Sequence, residues 1–218
     1  PDYAEAHNNL GIALDRQGRT EEAVEHYLQA LRLRPDYAQA HNNLGIALDK
    51  QGRTEEAVRH YLQALRLKPD YVQVHNSLGF ALDKQGRTEE AVKHYLQALR
   101  LKPDYAEVHD NLGIALDKQG RTEEAIEHYL QALQLKPHIS FAIDLFRAEV
   151  HNNLAIAFAK QGRTEEAVEH YLQALRLKPD YAEAHNNLGV ALVRKGDIRG
   201  AIVHFREALR INPGHINV

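Results

Sequence analysis

Seven prolines divide the chain at an almost constant spacing. They are Pro1, Pro35, Pro69, Pro103, Pro137, Pro179 and Pro213, and the successive intervals are 34, 34, 34, 34, 42 and 34 residues. Between them nearly the same sequence is repeated six times, as in AQAHNNLGIALDKQGRTEEAVRHYLQALRLKPDY at residues 38–71. A fixed period of this kind predicts a stack of small identical units and not one globular core.

The charge and composition of the chain exclude several kinds of partner. Lys and Arg number 27 against 30 Asp and Glu, and this net charge of −3 is spread over every repeat, so no basic surface is available for nucleic acid. No apolar run approaches the roughly 18 to 20 residues that span a bilayer. We therefore predict a soluble chain without nucleic-acid or membrane partners. The absence of Cys leaves its compartment open.

Each repeat predicts two helices. The first helix carries an apolar face at i, i+3, i+4 and i+7 spacing, formed in repeat 1 by His7, Leu10, Gly11 and Leu14. Its start is marked by a capping box, Asp2 with Glu5, which recurs as Asp36 with Gln39, Asp70 with Gln73, Asp104 with Glu107 and Asp180 with Glu183. Gly18 suits the left-handed conformation that follows a helix end.

The second helix is predicted to begin at Thr20 as the N-cap and to end before Pro35. Its apolar arc is wide, comprising Ala23, Val24, Tyr27, Leu28, Ala30 and Leu31, so it needs one hairpin before it and one after. The sequence thus predicts an all-α chain and one continuous array over residues 1–218. Its repeats fall approximately at 4–37, 38–71, 72–105, 106–139, 140–181 and 182–215.

These residues carry a family resemblance. His7, Leu10, Gly11, Leu14, Ala23, Tyr27, Ala30 and Pro35 fall on the pattern W-x2-L-G-x2-Y, A-x3-F, P. The chain therefore resembles six tetratricopeptide repeats, with His in the Trp slot, Leu in the first aromatic slot, and Ala155 in place of the glycine of repeat 5. The resemblance implies an α-solenoid of six helix-turn-helix hairpins that forms a right-handed superhelix. It also implies that the first helices line a concave binding face.

Two rows of amides recur on the first helices. One comprises Asn9, Asn43, Asn111, Asn153 and Asn187, broken by Ser77, and the other comprises Asn8, Asn42, Asn76, Asn152 and Asn186, broken by Asp110. Because Asn offers donors and an acceptor, such rows predict binding to an extended peptide backbone. The repeats are similar to those of the O-linked N-acetylglucosamine transferases, whose repeat arm holds peptides with an asparagine ladder. Alternatively, Asn is a tolerated polar residue that bonds neighbouring helices.

An apolar row lies beside the amides, at Ile12, Ile46, Phe80, Ile114, Ile156 and Val190. It either forms a floor for ligand side chains or seals one first helix against the next. Asp15 and its equivalents stand next to Arg16 or Lys, and such alternating charges usually mark a solvated face. The basic cluster that chaperone-binding members use for a terminal carboxylate is absent from the pattern, so that role is disfavoured.

Twelve of the fourteen His residues are periodic, with one in each first helix, as His7, and one in each second helix, as His26. Metal sites on helices need His pairs three or four residues apart, or His beside carboxylates, whereas these two rows lie 19 residues apart. We interpret them as packing residues and predict no metal site. Without a catalytic constellation outside the repeat pattern, the sequence also predicts no enzyme activity and no cofactor.

The 42-residue interval contains eight additional residues after Pro137. Ile139, Ile143, Phe146 and Val150 follow helical spacing, so we expect the first helix of repeat 5 to be extended at its N-terminus by about two turns, from near Ser140. We also expect Phe141, Leu145 and Phe146 to contact a neighbouring hairpin or a second molecule. The alternative is a tolerated duplication slip.

Together these features predict a protein–protein interaction scaffold that binds an extended peptide or a partner protein in a concave groove. Two alternatives stay open. One is a targeting arm of a larger enzyme such as a glycosyltransferase. The other is an engineered or self-associating scaffold, since the chain has nearly identical units, begins at the triplet that closes each repeat and contains no Met. Uncovered terminal hairpins further predict head-to-tail homo-oligomers or dimers.

Overall fold

A computed structural model describes residues 3–135 and 141–213, without the side chains of residues 141 and 142. The described residues form twelve α-helices and no strands, which confirms the all-α prediction. The helices of the first three hairpins are α1 Tyr3–Arg16, α2 Thr20–Leu33, α3 Ala38–Lys50, α4 Thr54–Leu67, α5 Val72–Lys84 and α6 Thr88–Leu101. The others are α7 Ala106–Lys118, α8 Thr122–Leu135, α9 Phe141–Lys160, α10 Thr164–Leu177, α11 Ala182–Lys195 and α12 Ile198–Ile211. None of these described helices combines the length and hydrophobicity that a bilayer span requires.

The chain divides into two compact units, Pro1–Pro103 with α1 to α6 and Asp104–Val218 with α7 to α12. Within each unit, the second helix of a hairpin packs on the first helix of the next, as α2 does on α3 and α8 on α9. Successive first helices also touch each other, whereas the described second helices do not. In each unit, the first helices therefore lie closer together and share one side. The single array over residues 1–218 and its repeat boundaries stay predictions.

A glycine in the first helix lets the two helices of a hairpin approach closely. A Cβ added to Gly45 would lie 2.6 Å from Cε1 of Tyr61, so the buried ring occupies the space that a side chain would need. In hairpin 5 the same position holds Ala155, which is fully buried. Between the helices, Gly18 has a φ of +78°, and this confirms the predicted left-handed turn.

The predicted helix caps are wrong wherever the structure describes them, while Asp2, the capping residue of the first box, lies outside the described residues. Tyr37, and not Asp36, precedes α3, and its side chain makes no cap hydrogen bond. The Tyr37 N–H instead donates to the carbonyl of Arg34 at 3.2 Å, so Asp36 lies inside a turn and the helix starts too late for Asp36 to cap it. Thr20 is likewise inside α2, and its hydroxyl donates to Asp15 at 3.2 Å.

Two predicted apolar positions are exposed. Leu10 is 46% exposed although its equivalent Leu44 is fully buried, because α2 covers α3 and no described helix precedes α1. Leu28 belongs to the predicted apolar arc of the second helix but is also exposed, and so are its equivalents Leu62, Leu96, Leu130 and Leu172. The buried arc of the second helix is therefore narrower than the sequence pattern indicates.

The first helix of hairpin 5 is longer than the others. α9 contains 20 residues, against 13 in α3, α5 and α7, in agreement with the predicted extension, while residues 138–140 lie outside the described part. Arg147 donates from Nη1 to the carbonyl of Leu133 in α8 at 2.9 Å, so the N-terminal half of α9 is fixed to the preceding hairpin. Leu145 and Phe146 are half-buried, and the side chain of Phe141 lies outside the description. Contact with a second molecule stays a prediction.

Candidate functional site

The two amide rows lie at different depths. Asn8 and Asn152 are buried, with exposed fractions of 3% and 1%, and Asn42 is also buried, whereas Asn76 is half-buried and Asn186 exposed. In the other row Asn9 is exposed, and the remaining members are half-buried: Asn43, Asn111, Asn153 and Asn187. The Asn9 row is therefore the part of the predicted ladder that reaches the surface most consistently.

Some amides connect neighbouring first helices. Asn43 donates from Nδ2 to Oδ1 of Asn8 at 2.9 Å, which joins α3 to α1. In the second unit, Asn153 donates to Oδ1 of Asp110 at 3.4 Å and joins α9 to α7. These bonds match the alternative in which amides tie the stack together. A side chain with two amide hydrogens and a carbonyl retains further capacity after one such bond.

Asp110 stands where the buried row otherwise has Asn. Burial raises the pKa of this carboxyl to about 6. The nearby charge of Glu149 also raises the pKa, whereas the hydrogen bond from Asn153 lowers it. A carboxylate at this position is therefore costly at neutral pH. The amide row is broken by a group whose charge changes near pH 6.

The apolar row is only partly covered. Its members Ile12, Ile46, Ile114 and Ile156 are half-buried, whereas Phe80 and Val190 are exposed. The ammonium of Lys84 lies 5.7 Å from the centre of the Phe80 ring. Half-burial fits both interpretations of the row, because each residue contacts its neighbours and also leaves apolar surface open.

The alternating charges on the first helices pair between hairpins. Lys50 Nζ lies 2.6 Å from Oδ2 of Asp15, and Lys84 Nζ lies 2.8 Å from Oδ1 of Asp49. In the second unit Lys160 pairs with Asp117 at 2.5 Å. The sequence interpretation of a merely solvated face missed these pairs. A regular signal was present, since each Lys follows its Asp by one repeat plus one residue.

This pairing stops between hairpins 5 and 6. Ala159 stands where earlier hairpins have Asp, so Arg194, at the position of the paired lysines, lacks the aspartate that pairs with those lysines. Its Nη1 donates instead to the Ala159 carbonyl at 3.4 Å. Within the described ranges, Arg194 makes no ion pair. The guanidinium is exposed and retains most of its hydrogen-bonding capacity.

Arg194 borders a groove of about 350 Å³ between α9, α10 and α11. The lining is Ile156, Ala159, Lys160, Thr164, Tyr171, Glu183, Asn187, Val190, Ala191 and Arg194. These residues include one member of the amide row, Asn187, and two members of the apolar row, Ile156 and Val190. The groove therefore brings both rows together beside Arg194. Besides an apolar floor and an amide, it presents the unpaired cation of Arg194, the cation of Lys160 and one carboxylate, that of Glu183, which accepts a hydrogen bond from Asn152 at 3.4 Å. The cations outnumber the carboxylate, which suits a peptide segment with an acidic side chain.

The described residues contain no group of three or more His, Cys, Asp or Glu side chains that could hold a metal ion.

Models of known families match most of the chain. Models described as tetratricopeptide repeat match residues 8–72, 60–93, 106–139 and 182–215, and one described as TPR repeat matches residues 82–120 and 157–196. With the helix pairs described above, these matches establish that the chain belongs to the tetratricopeptide repeat family. Such repeats generally act as non-catalytic protein–protein interaction scaffolds. No curated protein sequence matches the chain.

Several solved structures share the fold. A chain of the APC/C hetero-tetramer Cut9–Hcn1 has a TM-score of 0.85 at 22% identity, over 99% of this chain and 41% of that one. PilF of Pseudomonas aeruginosa has a TM-score of 0.82 at 23% identity, over 97% and 93% of the two chains. YrrB, described as a TPR protein with an unusual peptide-binding site, has 0.69 at 21%, over 88% and 95%. This chain thus spans less than half of the APC/C chain, and at these identities the likeness shows the fold alone.

Proposed function

We propose that the chain is an interaction module that binds an extended, acidic segment of a partner protein along its first helices. The observation that carries the proposal is the unpaired Arg194 beside the groove between α9, α10 and α11. An exposed cation next to an apolar floor and a surface amide provides a charge contact, a side-chain pocket and a backbone contact in one place.

Each group has a separate role in this proposal. Arg194 forms a charged hydrogen bond with a carboxylate of the ligand, and Asn187 bonds the ligand backbone next to it. Ile156 and Val190 contact an apolar side chain of the same segment. Lys160 adds positive charge, although it is paired with Asp117. The surface amides of the other hairpins would extend the backbone contacts along each unit.

The proposal is tested with peptides selected on the chain from a random display library. We expect acidic residues to be enriched, and Arg194→Ala to weaken binding about three- to tenfold, because a charged hydrogen bond at an exposed site contributes roughly 1 kcal/mol. Fluorescence polarisation provides the affinities. Lys84→Ala is the matched control, since that cation is already paired with Asp49. Selected peptides without acidic residues, or equal affinity for Arg194→Ala, would overturn the proposal.

A second candidate function is head-to-tail self-association. Ile202 of α12 is 44% exposed, whereas its equivalent Val58 is 6% exposed beneath the next hairpin. The side chain of Leu10 in α1 is likewise exposed, whereas its equivalent Leu44 is fully buried. The uncovered faces correspond to the two complementary sides of the interface between neighbouring hairpins within each unit, so the fitting occupant is a second copy of the chain. A targeting arm of a larger enzyme would use the same first-helix surface for its substrates.

A further inference from the structure

The two histidine rows, which lie 19 residues apart in sequence, meet inside every hairpin. In each described hairpin the Nδ1 atoms of the two rings are 2.9 to 3.0 Å apart. The pairs are His7 with His26, His41 with His60, His75 with His94, His109 with His128, His151 with His170 and His185 with His204. The first-helix member is buried in all but the first pair, and the second-helix member is half-buried.

The geometry of a pair fits a shared proton and not a metal ion. The ring centres are 5.1 to 5.3 Å apart. This distance equals the Nδ1–Nδ1 distance plus the radii of the two rings, so both Nδ1 atoms lie on the line between the ring centres and point at each other. Transition metals lie about 2.0 to 2.1 Å from each imidazole nitrogen, so an ion on this line would need a separation of about 4 Å. A separation of 2.9 to 3.0 Å is that of an N–H···N hydrogen bond.

The tautomers of the pair follow from a second hydrogen bond. Nε2 of His41 lies 3.1 Å from the carbonyl oxygen of Pro35, and a carbonyl only accepts, so Nε2 carries the hydrogen. In the neutral ring Nδ1 of His41 is then bare, and Nδ1 of His60 must donate to it. The same bond recurs from His75 to Pro69 at 3.0 Å and from His185 to Pro179 at 3.0 Å.

A folded pair can therefore accept only one further proton. That proton binds Nε2 of His60, because this nitrogen is outside the shared bond. A second proton would have to bind Nδ1 of His41, and two N–H groups would then face each other at 3.0 Å. The charged groups that act on His60 are Glu56, which favours its cation, and Arg59 and Arg53, which oppose it. Within the described ranges, none from α1, α2 or α5 acts on either ring.

We propose that the histidine pairs are acid-labile clasps between the two helices of each hairpin, so that mild acid opens the repeats and releases whatever they bind. In the pairs of His41, His75 and His185, the buried ring that joins the two helices is also hydrogen-bonded to the carbonyl of the preceding proline. The same Nδ1–Nδ1 contact is present in all six described hairpins, so every hairpin contains the same clasp.

Burial opposes protonation of the paired rings. It lowers the pKa of His41, and it is also the main cause that lowers the pKa of His60 to about 4. Burial likewise lowers the pKa of His151 to about 4. In the unfolded chain a histidine titrates near 6.5, so between pH 6.5 and 4 the unfolded chain binds more protons. The contribution of these rings to stability is therefore complete above pH 6.5 and falls as the pH decreases towards 4.

Nitrogen NMR of the wild-type chain tests the clasp directly. At pH 7.5 we expect His41, His75 and His185 to carry hydrogen on Nε2, their partners to carry it on Nδ1, and a scalar coupling to connect the two Nδ1 atoms of each pair. On acidification the second-helix ring should titrate first, and the first-helix ring should stay neutral until the hairpin opens. Nδ1 hydrogens on the first-helix rings, or both rings titrating near 6.5 in the folded chain, would overturn the proposal.

A variant without one clasp provides the thermodynamic test. His41→Phe with His60→Phe keeps aromatic rings in both places but removes the titration. Between pH 7.5 and pH 5, the unfolding constant of the wild type should rise roughly tenfold more than that of the variant, with allowance for solvent screening of the half-buried ring. An equal rise in both proteins would contradict the clasp. If the variant does not fold, the NMR measurement on the wild type decides alone.

Discussion

At the scale of residues, the repeats are nearly identical, so a residue that deviates in one repeat can be compared with its equivalents in the others. Ala159 replaces an Asp and leaves Arg194 without its carboxylate, and Asp110 replaces an Asn and places a carboxyl in the interior. The first change affects the surface and the second affects the stack. Because the surroundings are otherwise repeated, the effect of each can be compared with a hairpin that retains the common residue.

The Asp110→Asn variant should be more stable than the wild type at neutral pH. The carboxyl has a pKa of about 6 in the folded chain and about 3.9 when unfolded, so the contribution of Asp110 to stability becomes less favourable as the pH rises from 4 to 6. Replacing it should add about 1 to 3 kcal/mol at pH 7.5 and almost nothing at pH 4.

Thermal unfolding at the two pH values checks this expectation. Asp180→Asn, at an exposed site, is the control and should change stability by less than about 0.5 kcal/mol. An equal effect of Asp110→Asn at pH 4 and pH 7.5 would show that ionisation is not its cause.

At the scale of elements, each hairpin depends on the close approach of a glycine to an aromatic ring. A Cβ on Gly79 would lie 2.6 Å from Cε1 of Tyr95, and the remaining described glycines on first helices face a ring at a similar distance. Ala155 in hairpin 5 shows that one added methyl group still permits the hairpin to form. The first helix of this hairpin is the longer α9, which Arg147 connects to α8.

Gly79→Ala should destabilise the chain by about 1 to 2 kcal/mol. The clash with Tyr95 costs roughly 1 to 3 kcal/mol, and the higher helix propensity of Ala offsets up to about 1 kcal/mol of it. Denaturant unfolding measures the difference. In a Tyr95→Leu background the same substitution should cost much less, because the flat ring that meets the new methyl group is gone. A gain in stability in the Tyr95 background would mean that propensity outweighs the clash.

At the scale of the whole molecule, stability is distributed over repeated interfaces, so terminal hairpins have one neighbour fewer than internal ones. The exposed apolar residues of α12, which include Ile198, Ile202, Val203 and Leu209, mark one such uncovered face. This surface is the basis for the proposed association between copies.

Sedimentation at increasing protein concentration should reveal that association as a continuous rise in mean mass, because a head-to-tail contact does not close on itself. Ile202→Glu should abolish it, since a carboxylate cannot be buried against the uncovered face of α1. Glu207→Gln is the matched substitution on the same helix and should leave the association unchanged. A constant monomer mass for the wild type would contradict the interpretation of both faces.

The sequence pattern predicts what depends on local spacing. Periodicity and Gly18 correctly give paired helices with a left-handed glycine between them. The Lys50–Asp15 and His41–His60 contacts join residues of different helices, 35 and 19 positions apart, so they depend on how helices pack on each other, which the spacing within one helix does not specify. The prediction that Asp36 caps a first helix is wrong for a related reason, since the Pro–Asp turn displaces the helix start by one residue.

The most direct test of the proposed acidic-ligand groove restores what hairpin 5 lacks. Ala159→Asp should pair with Arg194 as Asp117 pairs with Lys160 and so occupy the cation internally. We predict that Ala159→Asp keeps its fold and lowers the affinity for a selected acidic peptide about three- to tenfold, while affinity for the same peptide with Gln in place of its acidic residues is unchanged. Undiminished binding of the acidic peptide to folded Ala159→Asp would contradict the assignment of Arg194 as the ligand's charge partner.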